Sequence, residues 1–242
     1  MAAQILSNAK VYVAGADMSG DLNGVALKYS AELKEATTLA DLTRTRRAGL
    51  KDVDFQLEGF WNGGVGGIDD TAFAQVPASG VPVTIAPLTG AESELCYFLN
   101  SDIVDYKFGA KIGDMLPASI GGVASLSPLV RGTILQNSAR SATGTGTIMN
   151  LGALTSTQKL YAILHVLSIT SGGSPSLACK IQSASLVGFG TPTDRITFSA
   201  ATAVGAQFAT PVSGAITDAF WRANFTLTNI TSITFLVAMG IL

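Results

Sequence analysis

The residues between Leu22 and Trp61 alternate apolar and polar side chains over two stretches, and this period of two constrains the fold more than any other feature of the chain. The apolar positions are Val25, Leu27, Tyr29, Ala31 and Leu33, then Val53, Phe55, Leu57 and Trp61. The polar positions are Lys28, Ser30, Glu32 and Lys34, then Asp52, Asp54, Gln56 and Glu58. Because successive side chains of a strand point to opposite faces, the pattern predicts two antiparallel strands with one dry face and one wet face.

The composition points to a protein that is covered by partners. Only 13% of the 242 residues are charged, and the mean hydropathy is +0.40. The formal net charge of -2 and the pI near 5.3 argue against electrostatic nucleic-acid binding by the whole chain, because such binding needs clustered Lys and Arg. A local basic patch formed by Arg44, Arg46 and Arg47 remains compatible with this composition.

Targeting and ligand-binding signals are weak. The first ten residues lack a basic start followed by an apolar run, so we expect synthesis in the cytoplasm. The most apolar segment, residues 233–242, is about half the length that spans a bilayer, which predicts no membrane insertion. Cys96 and Cys179 lie in apolar surroundings and are predicted to be buried free thiols. One His and two separated Cys offer no obvious donor set for a four-ligand zinc site.

Turn residues divide most of the chain into short apolar or alternating stretches, which predicts an all-β fold of the sandwich or barrel type. Strands are predicted at residues 10–13, 24–35, 53–61, 81–85, 92–99, 103–112, 115–123, 129–136, 146–151, 159–169, 176–185, 194–199, 220–228 and 232–239. One short helix is predicted over residues 71–76, capped by Asp69 or Asp70 and stopped by Pro77.

A shift in charge content predicts two units. Residues 28–58 hold 12 of the 32 charged residues, whereas only six occur from Lys159 to the end. Residues 137–147, rich in Gly, Ser and Thr, are predicted to be a flexible linker. The predicted units are therefore a β domain over residues 1–136 and a second β-sandwich domain over residues 148–242.

The sequence contains little evidence of a catalytic site. The only histidine, His165, lies in an alternating strand and is interpreted as a structural residue that hydrogen-bonds across the sheet. Asp52, Asp54 and Glu58 could form an acid and base pair, but such spacing is common on any solvated strand face. Motifs of hydrolases, nucleotide-binding loops and metalloproteases are absent from the sequence. We therefore expect no catalytic, cofactor-binding or metal-binding residues.

The loop and second strand resemble the major tail tube proteins of long-tailed, siphovirus-like bacteriophages. In that family a Thr-rich segment with an "RTR..GLKD" pattern precedes a strand of the form "xFxLxGFW". The matching residues are Thr37, Thr38, Asp41, Thr43, Arg44, Thr45, Arg46, Gly49, Leu50, Lys51, Asp52, Phe55, Leu57, Gly59, Phe60 and Trp61. The resemblance extends more weakly to about Val130. In the second half, His165 and the pair Trp221 and Arg222 resemble a β-sandwich segment of phage virion proteins.

The resemblance implies a ring-forming structural subunit of the phage tail tube, made in the host cytoplasm, whose stacked rings let DNA pass. The implied channel-lining residues are Lys28, Glu32, Lys34, Asp52, Asp54 and Glu58, with two more carboxylates than cations. The implied ring-stacking loop, residues 36–50 and the adjoining Lys51, contributes Asp41, Arg44, Arg46, Arg47 and Lys51.

The resemblance leaves several alternatives open. The ring would be a hexamer, or a trimer with pseudo-sixfold symmetry if each half of the chain contributes one tube unit. Its partners would be identical rings and other tail proteins. The chain could instead be another virion component, such as a head decoration or tail terminator protein. A β-sandwich binding module is a further alternative.

Overall fold

The computed structural model describes residues 6–40, 42–125 and 127–242, and these residues form an all-β fold with one short helix, as predicted. The elements of the first half are β1 (Lys10–Val13), β2 (Ala16–Asp17), β3 (Leu22–Glu35), β4 (Arg46–Phe60), α1 (Ile68–Gln75), β5 (Val81–Ala86), β6 (Leu95–Phe108), β7 (Pro117–Ala124) and β8 (Val130–Arg140). Those of the second half are β9 (Gly144–Thr145), β10 (Met149–Asn150), β11 (Lys159–Ala184), β12 (Thr193–Thr197), β13 (Gly205–Phe208), β14 (Val212–Ser213) and β15 (Phe220–Ile241).

The first half is a sandwich in which one long strand belongs to both layers. The outer part of β6, residues 101–108, pairs with β7. β7 in turn pairs with β4, and β4 pairs with β3. The inner part of β6 pairs with β5 on one side and β8 on the other. The sequence predicts two strands here, over residues 92–99 and 103–112, whereas β6 is continuous and has an irregularity between Ile103 and Asp105. The buried core between the layers includes Val83 and Leu99 from one layer and Phe55 and Leu57 from the other.

β7 carries two adjacent glycines, Gly121 and Gly122, and the close approach of Phe55 on β4 leaves no room for a side chain at Gly122. A Cβ atom on Gly122 would lie 2.6 Å from Cε1 of the buried Phe55, whereas a Cβ on Gly121 would meet its nearest neighbour, Cβ of Asp105, at 3.4 Å. The first distance requires a shift in the core, and the second is an ordinary contact.

We therefore expect Gly122→Ala to lower the free energy of unfolding by about 1–3 kcal/mol through overpacking. Gly121→Ala is the matched control, and it is expected to leave stability unchanged or to raise it by less than about 1 kcal/mol. Urea denaturation of both variants measures the difference. Equal stability of the two would mean that β7 can move away from Phe55 at little cost.

The helix is held at the end of β4 by side chains from the turn before β3 and from β6. The Asp21 carboxylate accepts hydrogen bonds from the Ile68 backbone N–H at 3.1 Å and from Nδ2 of Asn62 at 3.0 Å. The Tyr106 hydroxyl donates to Asp69 at 2.6 Å. The helix begins before the predicted residue 71, and the prediction that Asp69 or Asp70 caps it is wrong, because Gly67 is the N-cap.

The second half is built on a two-stranded ribbon of β11 and β15 that folds back on itself. Phe225 and Phe235 lie ten residues apart on β15, which would separate them by about 33 Å in a straight strand. Their ring centroids are instead 5.1 Å apart in an edge-to-face pair. The bend coincides with the irregular pairing between Ser171 and Ser176 on β11. Each of the two strands was predicted as two separate strands.

Residues 137–140 and 144–145 of the segment predicted to be a flexible linker lie in strands of the sheet. Residues 137–140 are the end of β8 and pair with residues 233–236 of β15. Asn137 also donates hydrogen bonds to the Tyr12 hydroxyl at 2.9 Å and to the Gly90 carbonyl at 2.6 Å. β9 pairs with β15 as well. The division into two domains that fold independently stays a prediction.

A buried cluster joins the two halves. It contains Phe98 and Ile134 from the first half and Tyr161, Ile163 and Leu236 from the second. Both cysteines are buried free thiols, as predicted. Cys96 belongs to this junction cluster, and Cys179 belongs to the core of the second half.

His165 lies at the same junction and is completely buried. Its Nε2 is 3.0 Å from the Thr84 hydroxyl of β5, and its ring centroid is 5.9 Å from that of Tyr12. Burial disfavours the charged imidazolium and lowers the pKa of His165 to about 3. The structural interpretation of His165 is confirmed, and its hydrogen-bond partner comes from the other half of the chain.

Candidate functional site: the hairpin sheet

The candidate site is a four-stranded sheet formed by β3, β4, β7 and the outer half of β6, here called the hairpin sheet. The period of two sets its faces because residues paired directly across strands share a face. Lys28 faces Asp54 and Ser30 faces Asp52 across β3 and β4. Leu27 faces Phe55 on the opposite side. The predicted separation into a polar and an apolar face is therefore present.

The apolar face is buried only near the base of the hairpin. Val53, Phe55 and Leu57 are almost completely buried in the sandwich core. Farther along the same face, Tyr29 is 46% exposed and Leu33 is more exposed still. Trp61, predicted to lie on the dry face, comes after the last residue of β4 and is also exposed. The hairpin thus extends beyond the core and carries apolar side chains without cover from the described part of the chain.

The predicted channel-lining residues all lie on the hairpin sheet. Nζ of Lys28 is 3.2 Å from Oδ2 of Asp54, a cross-strand ion pair exposed enough to contribute at most about 1 kcal/mol. Glu32 lies at an irregularity of the β3 and β4 pairing and forms an ion pair with Lys34 on the same strand. Glu58 is opposite Gly24 on β3 and opposite Ser119 on β7.

Four charged residues of the polar face were not predicted from the sequence. Lys107 and Glu58 both pair with Ser119, so they share a face, and Asp105 pairs with Gly121 on that face. Asp102 joins them because it pairs with Val123, which also pairs with Asp54. Arg47 is opposite Lys34. The alternation of Asp105 and Lys107 with Tyr106 was a usable signal, but only the pairing of β6 with β7 assigns these residues to the same face as the hairpin charges.

With these residues the polar face carries charges of both signs. It holds six carboxylates and four cations, so the predicted excess of two carboxylates is unchanged. The carboxylates are Glu32, Asp52, Asp54, Glu58, Asp102 and Asp105, and the cations are Lys28, Lys34, Arg47 and Lys107.

The loop between the strands is shorter than predicted, because β4 begins at Arg46. Residues 36–45 form the loop, which is closed by a hydrogen bond from the Ala36 N–H to the Thr45 carbonyl at 2.9 Å. Arg46, Arg47 and Lys51, predicted to lie in or beside a stacking loop, are strand residues. Asp41 lies outside the described residues.

The charged residues of the proposed stacking segment point in different directions. Arg44 lies in the loop, and its Nε is 4.0 Å from Glu35. Arg46 is opposite Glu35 on β3. Lys51 lies on the apolar face opposite Ala31, and its Nζ is 5.7 Å from the ring centroid of Tyr29.

Two edges of the hairpin sheet lack a strand partner among the described residues. β3 pairs only with β4 along its 14 residues. Residues 104–108 of β6 pair with β7 on one side, while pairing with β5 on the other side stops at Ser101. The backbone groups of an unpaired edge are a template for pairing with another strand.

An apolar cleft of about 450 Å³ opens beside β3. It lies between the hairpin and the second layer of the sandwich. Its lining residues are Leu6, Ala9, Val25, Leu27, Tyr29, Ile85, Pro87, Tyr97 and Leu129. The partial exposure of Val25 and Leu27, which the sequence predicts to be on the dry face, follows from this opening.

The described residues contain neither a metal-binding cluster nor a membrane-spanning helix. Over residues 6–40, 42–125 and 127–242, no group of three or more His, Cys, Asp or Glu side chains is arranged to hold a metal ion. Within the same residues, the helix found is only eight residues long, and no helix could cross a bilayer.

No protein-family model matches the chain, and comparison with curated proteins gives no significant match. Among solved structures, the chain is similar to the sheath/tube terminator of an extracellular contractile injection system, with a TM-score of 0.43 and 13% identity over 53% of this chain and 97% of that one. It is also similar to the Dit protein of phage SPP1, part of a hub adsorption apparatus, with a TM-score of 0.39 and 11% identity over 98% of this chain and 100% of that one.

A further similarity is to a chain of the virion of a gene transfer agent particle. The TM-score is 0.37 and the identity 10%, over 45% of this chain and 84% of that one. TM-scores below 0.5 do not establish a common fold.

Proposed function

We propose that this protein is a structural subunit of a bacteriophage tail that closes into a ring around a channel for DNA. The observation that carries this proposal is the amphipathic hairpin sheet with two unpaired edges, β3 and residues 104–108 of β6. Pairing β3 of one copy with the β6 edge of the next uses both edges. A closed ring of such contacts leaves no strand unpaired.

The apolar surface around β3 supports the same arrangement. Tyr29 and the cleft beside it expose apolar side chains next to the unpaired edge. In a ring these side chains would be covered by the neighbouring copy. Burial of apolar surface would then stabilise the contact in addition to the backbone hydrogen bonds.

The polar face of the hairpin sheet would line the channel. It carries six carboxylates and four cations, and the Lys28 and Asp54 side chains neutralise each other. A wall with clustered unpaired cations would bind phosphates and retard DNA. A wall of mixed charge with an excess of two carboxylates per chain would let DNA pass without being held.

One amphipathic hairpin sheet per chain favours one channel-lining unit per chain. The second half is built instead on the folded ribbon of β11 and β15. We therefore favour a hexamer over a trimer with pseudo-sixfold symmetry, and we assign the second half to the outside of the ring. Other tail proteins would be its partners, and the protein would be located in the virion tail after synthesis in the host cytoplasm.

The proposal is tested by the assembly of the purified full chain. Native mass spectrometry and negative-stain electron microscopy over a range of concentrations are expected to detect rings with a central hole. Monomers at every concentration, with no incorporation into tails, would contradict the proposed function. Rings that never stack would favour the alternative of a tail terminator protein.

Tyr29→Glu is expected to abolish rings while leaving a folded monomer. Tyr29 lies beside the unpaired β3 edge and is already 46% exposed, so the fold does not depend on its burial. Burying a carboxylate at an apolar contact costs several kcal/mol, and the Lys51 ammonium, 5.7 Å from the Tyr29 ring centroid, offsets only part of this cost. Sedimentation velocity measures the loss of rings.

Ser30→Glu is the matched control, because the adjacent position points to the polar face. It introduces the same carboxylate and is expected to leave rings intact. Equal ring formation by the two variants would show that the apolar face beside β3 is not the contact.

A further inference from the structure

The end of the hairpin sheet opposite the loop forms a second surface, here called the base end and comprising residues 58–70 and 105–116. Its parts are fixed to each other. The backbone N–H of Trp61 donates to the Leu116 carbonyl at 2.8 Å, and the Tyr106 hydroxyl donates to the Asp69 carboxylate at 2.6 Å. The base end is therefore an ordered surface formed by the end of β4, the turn between β6 and β7, and the start of α1.

The base end exposes apolar side chains that the described part of the chain does not cover. They are Trp61, Val65, Phe108, Ile112 and Met115, of which Val65 and Ile112 are fully exposed. The opposite end of the hairpin, residues 32–51 and here called the tip, likewise exposes Leu39, Leu42 and Leu50. Exposed apolar patches of this kind mark interaction surfaces.

The two ends carry opposite charge. The tip holds five cations and three carboxylates in its sequence. The base end holds five carboxylates and two cations. The tip cations are Lys34, Arg44, Arg46, Arg47 and Lys51, and the base-end carboxylates are Glu58, Asp69, Asp70, Asp105 and Asp114.

A chain cannot bring its own two ends together. They lie at opposite ends of β4, whose 15 residues span about 50 Å when extended. Complementary patches on opposite ends of one molecule form a heterologous contact that repeats from copy to copy, and copies stacked along one axis form an open column.

We propose that the tip of one copy docks on the base end of a second copy in the next ring, so that each subunit carries both halves of the stacking contact. This inference rests on the proposed function and identifies the surface that receives the hairpin tip. Tip leucines would pack against the apolar residues of the base end, while the tip arginines lie beside its carboxylates. The side-to-side contact at β3 is a separate interface, so rings can form without stacking.

Reversing charge at both ends tests this pairing. Arg44→Glu with Arg46→Glu at the tip, or Asp70→Lys with Asp114→Lys at the base end, is expected to leave rings but to reduce the mean number of stacked rings by about tenfold or more. Combining all four substitutions in one chain restores opposite charges at each junction and is expected to restore stacking. Electron microscopy measures the length of the stacks.

Two controls make the result specific. Arg131→Glu with Lys159→Glu makes the same change of charge at exposed positions elsewhere and is expected to leave stacking unchanged. Thermal unfolding of each variant checks the fold, because Asp70 accepts a hydrogen bond from the Gly66 N–H at 3.0 Å.

The outcomes separate the two proposals. Absence of rings in the unmodified chain would contradict the proposed function. Rings of the unmodified chain that do not stack would overturn only the pairing of tip and base end. Stacking that survives charge reversal at either end, or that the fourfold variant fails to regain, would overturn it as well.

Discussion

Phe235→Ala is expected to lower the free energy of unfolding by about 3–5 kcal/mol, the largest effect of a single substitution considered for this chain. Phe235 is completely buried, and its ring contacts Phe225 edge to face. This contact joins the two arms of the folded ribbon. Truncation removes the apolar burial, leaves a cavity and also removes the aromatic pair, which contributes about 0.5–1.5 kcal/mol beyond burial.

Chemical denaturation of Phe235→Ala measures the loss, and Phe73→Ala is the control. Phe73 lies on α1 and is 75% exposed, so its truncation is expected to change the stability of the monomer by less than about 0.5 kcal/mol. A double-mutant cycle with Phe225→Ala isolates the ring contact. A loss below about 1 kcal/mol for Phe235→Ala would contradict the folded ribbon.

Lowering the pH from 7 to 4.5 is expected to destabilise the protein by about 2–3 kcal/mol through His165 alone. In the unfolded chain the imidazole binds a proton near its ordinary pKa of 6.5, whereas burial lowers the pKa in the folded state to about 3. The unfolded state therefore binds more protons between these values, and stability falls as the pH is lowered. The contacts of the ring with Thr84 and Tyr12 supply no negative charge to offset this loss.

His165→Gln is the diagnostic variant, because glutamine can keep a hydrogen bond to Thr84 and does not titrate. The dependence of unfolding free energy on pH between 6.5 and 4.5 is expected to flatten in this variant. The chain has no other histidine, so the assignment is unambiguous. Hydrogen bonds lower the pKa of Asp194 and Asp218, first from Lys180 and Ser183 respectively, and their contribution is lost at lower pH. An unchanged slope in His165→Gln would contradict a buried neutral imidazole.

The hairpin shows how much of the structure can be predicted from the local alternation of apolar and polar residues. The alternation from Val25 to Leu57 predicted two paired strands and the identity of each face, because side-chain direction depends only on the local backbone. The Lys28 and Asp54 pair fits this pattern. The pattern did not predict that β4 begins at Arg46, since residues 46–50 lack alternation and form a strand by pairing with β3.

Two departures of the structure from the predicted strands share one physical cause. Asn137 and its neighbours have the composition of a linker but form strand β8, because β15 supplies hydrogen bonds from a hundred residues away. The glycines and serines near Ser171 predicted an interruption between two strands, yet β11 resumes its pairing with β15 at Ser176. Composition reports what a segment does in isolation, while partners far along the chain decide whether it joins a sheet.

Some features of the candidate site were predictable from the sequence, and others depend on the tertiary structure. The sequence by itself determined the all-β class, the amphipathic hairpin and most of the charges that β3 and β4 place on its polar face, because these follow from the period of two and from side-chain chemistry. The tertiary structure alone decided that Asp105 and Lys107 join that face, that β3 and part of β6 remain unpaired, and that apolar side chains are exposed at both ends of the sheet. Each of these depends on which strands pair and where the core stops, and those are properties of contacts between distant parts of the chain.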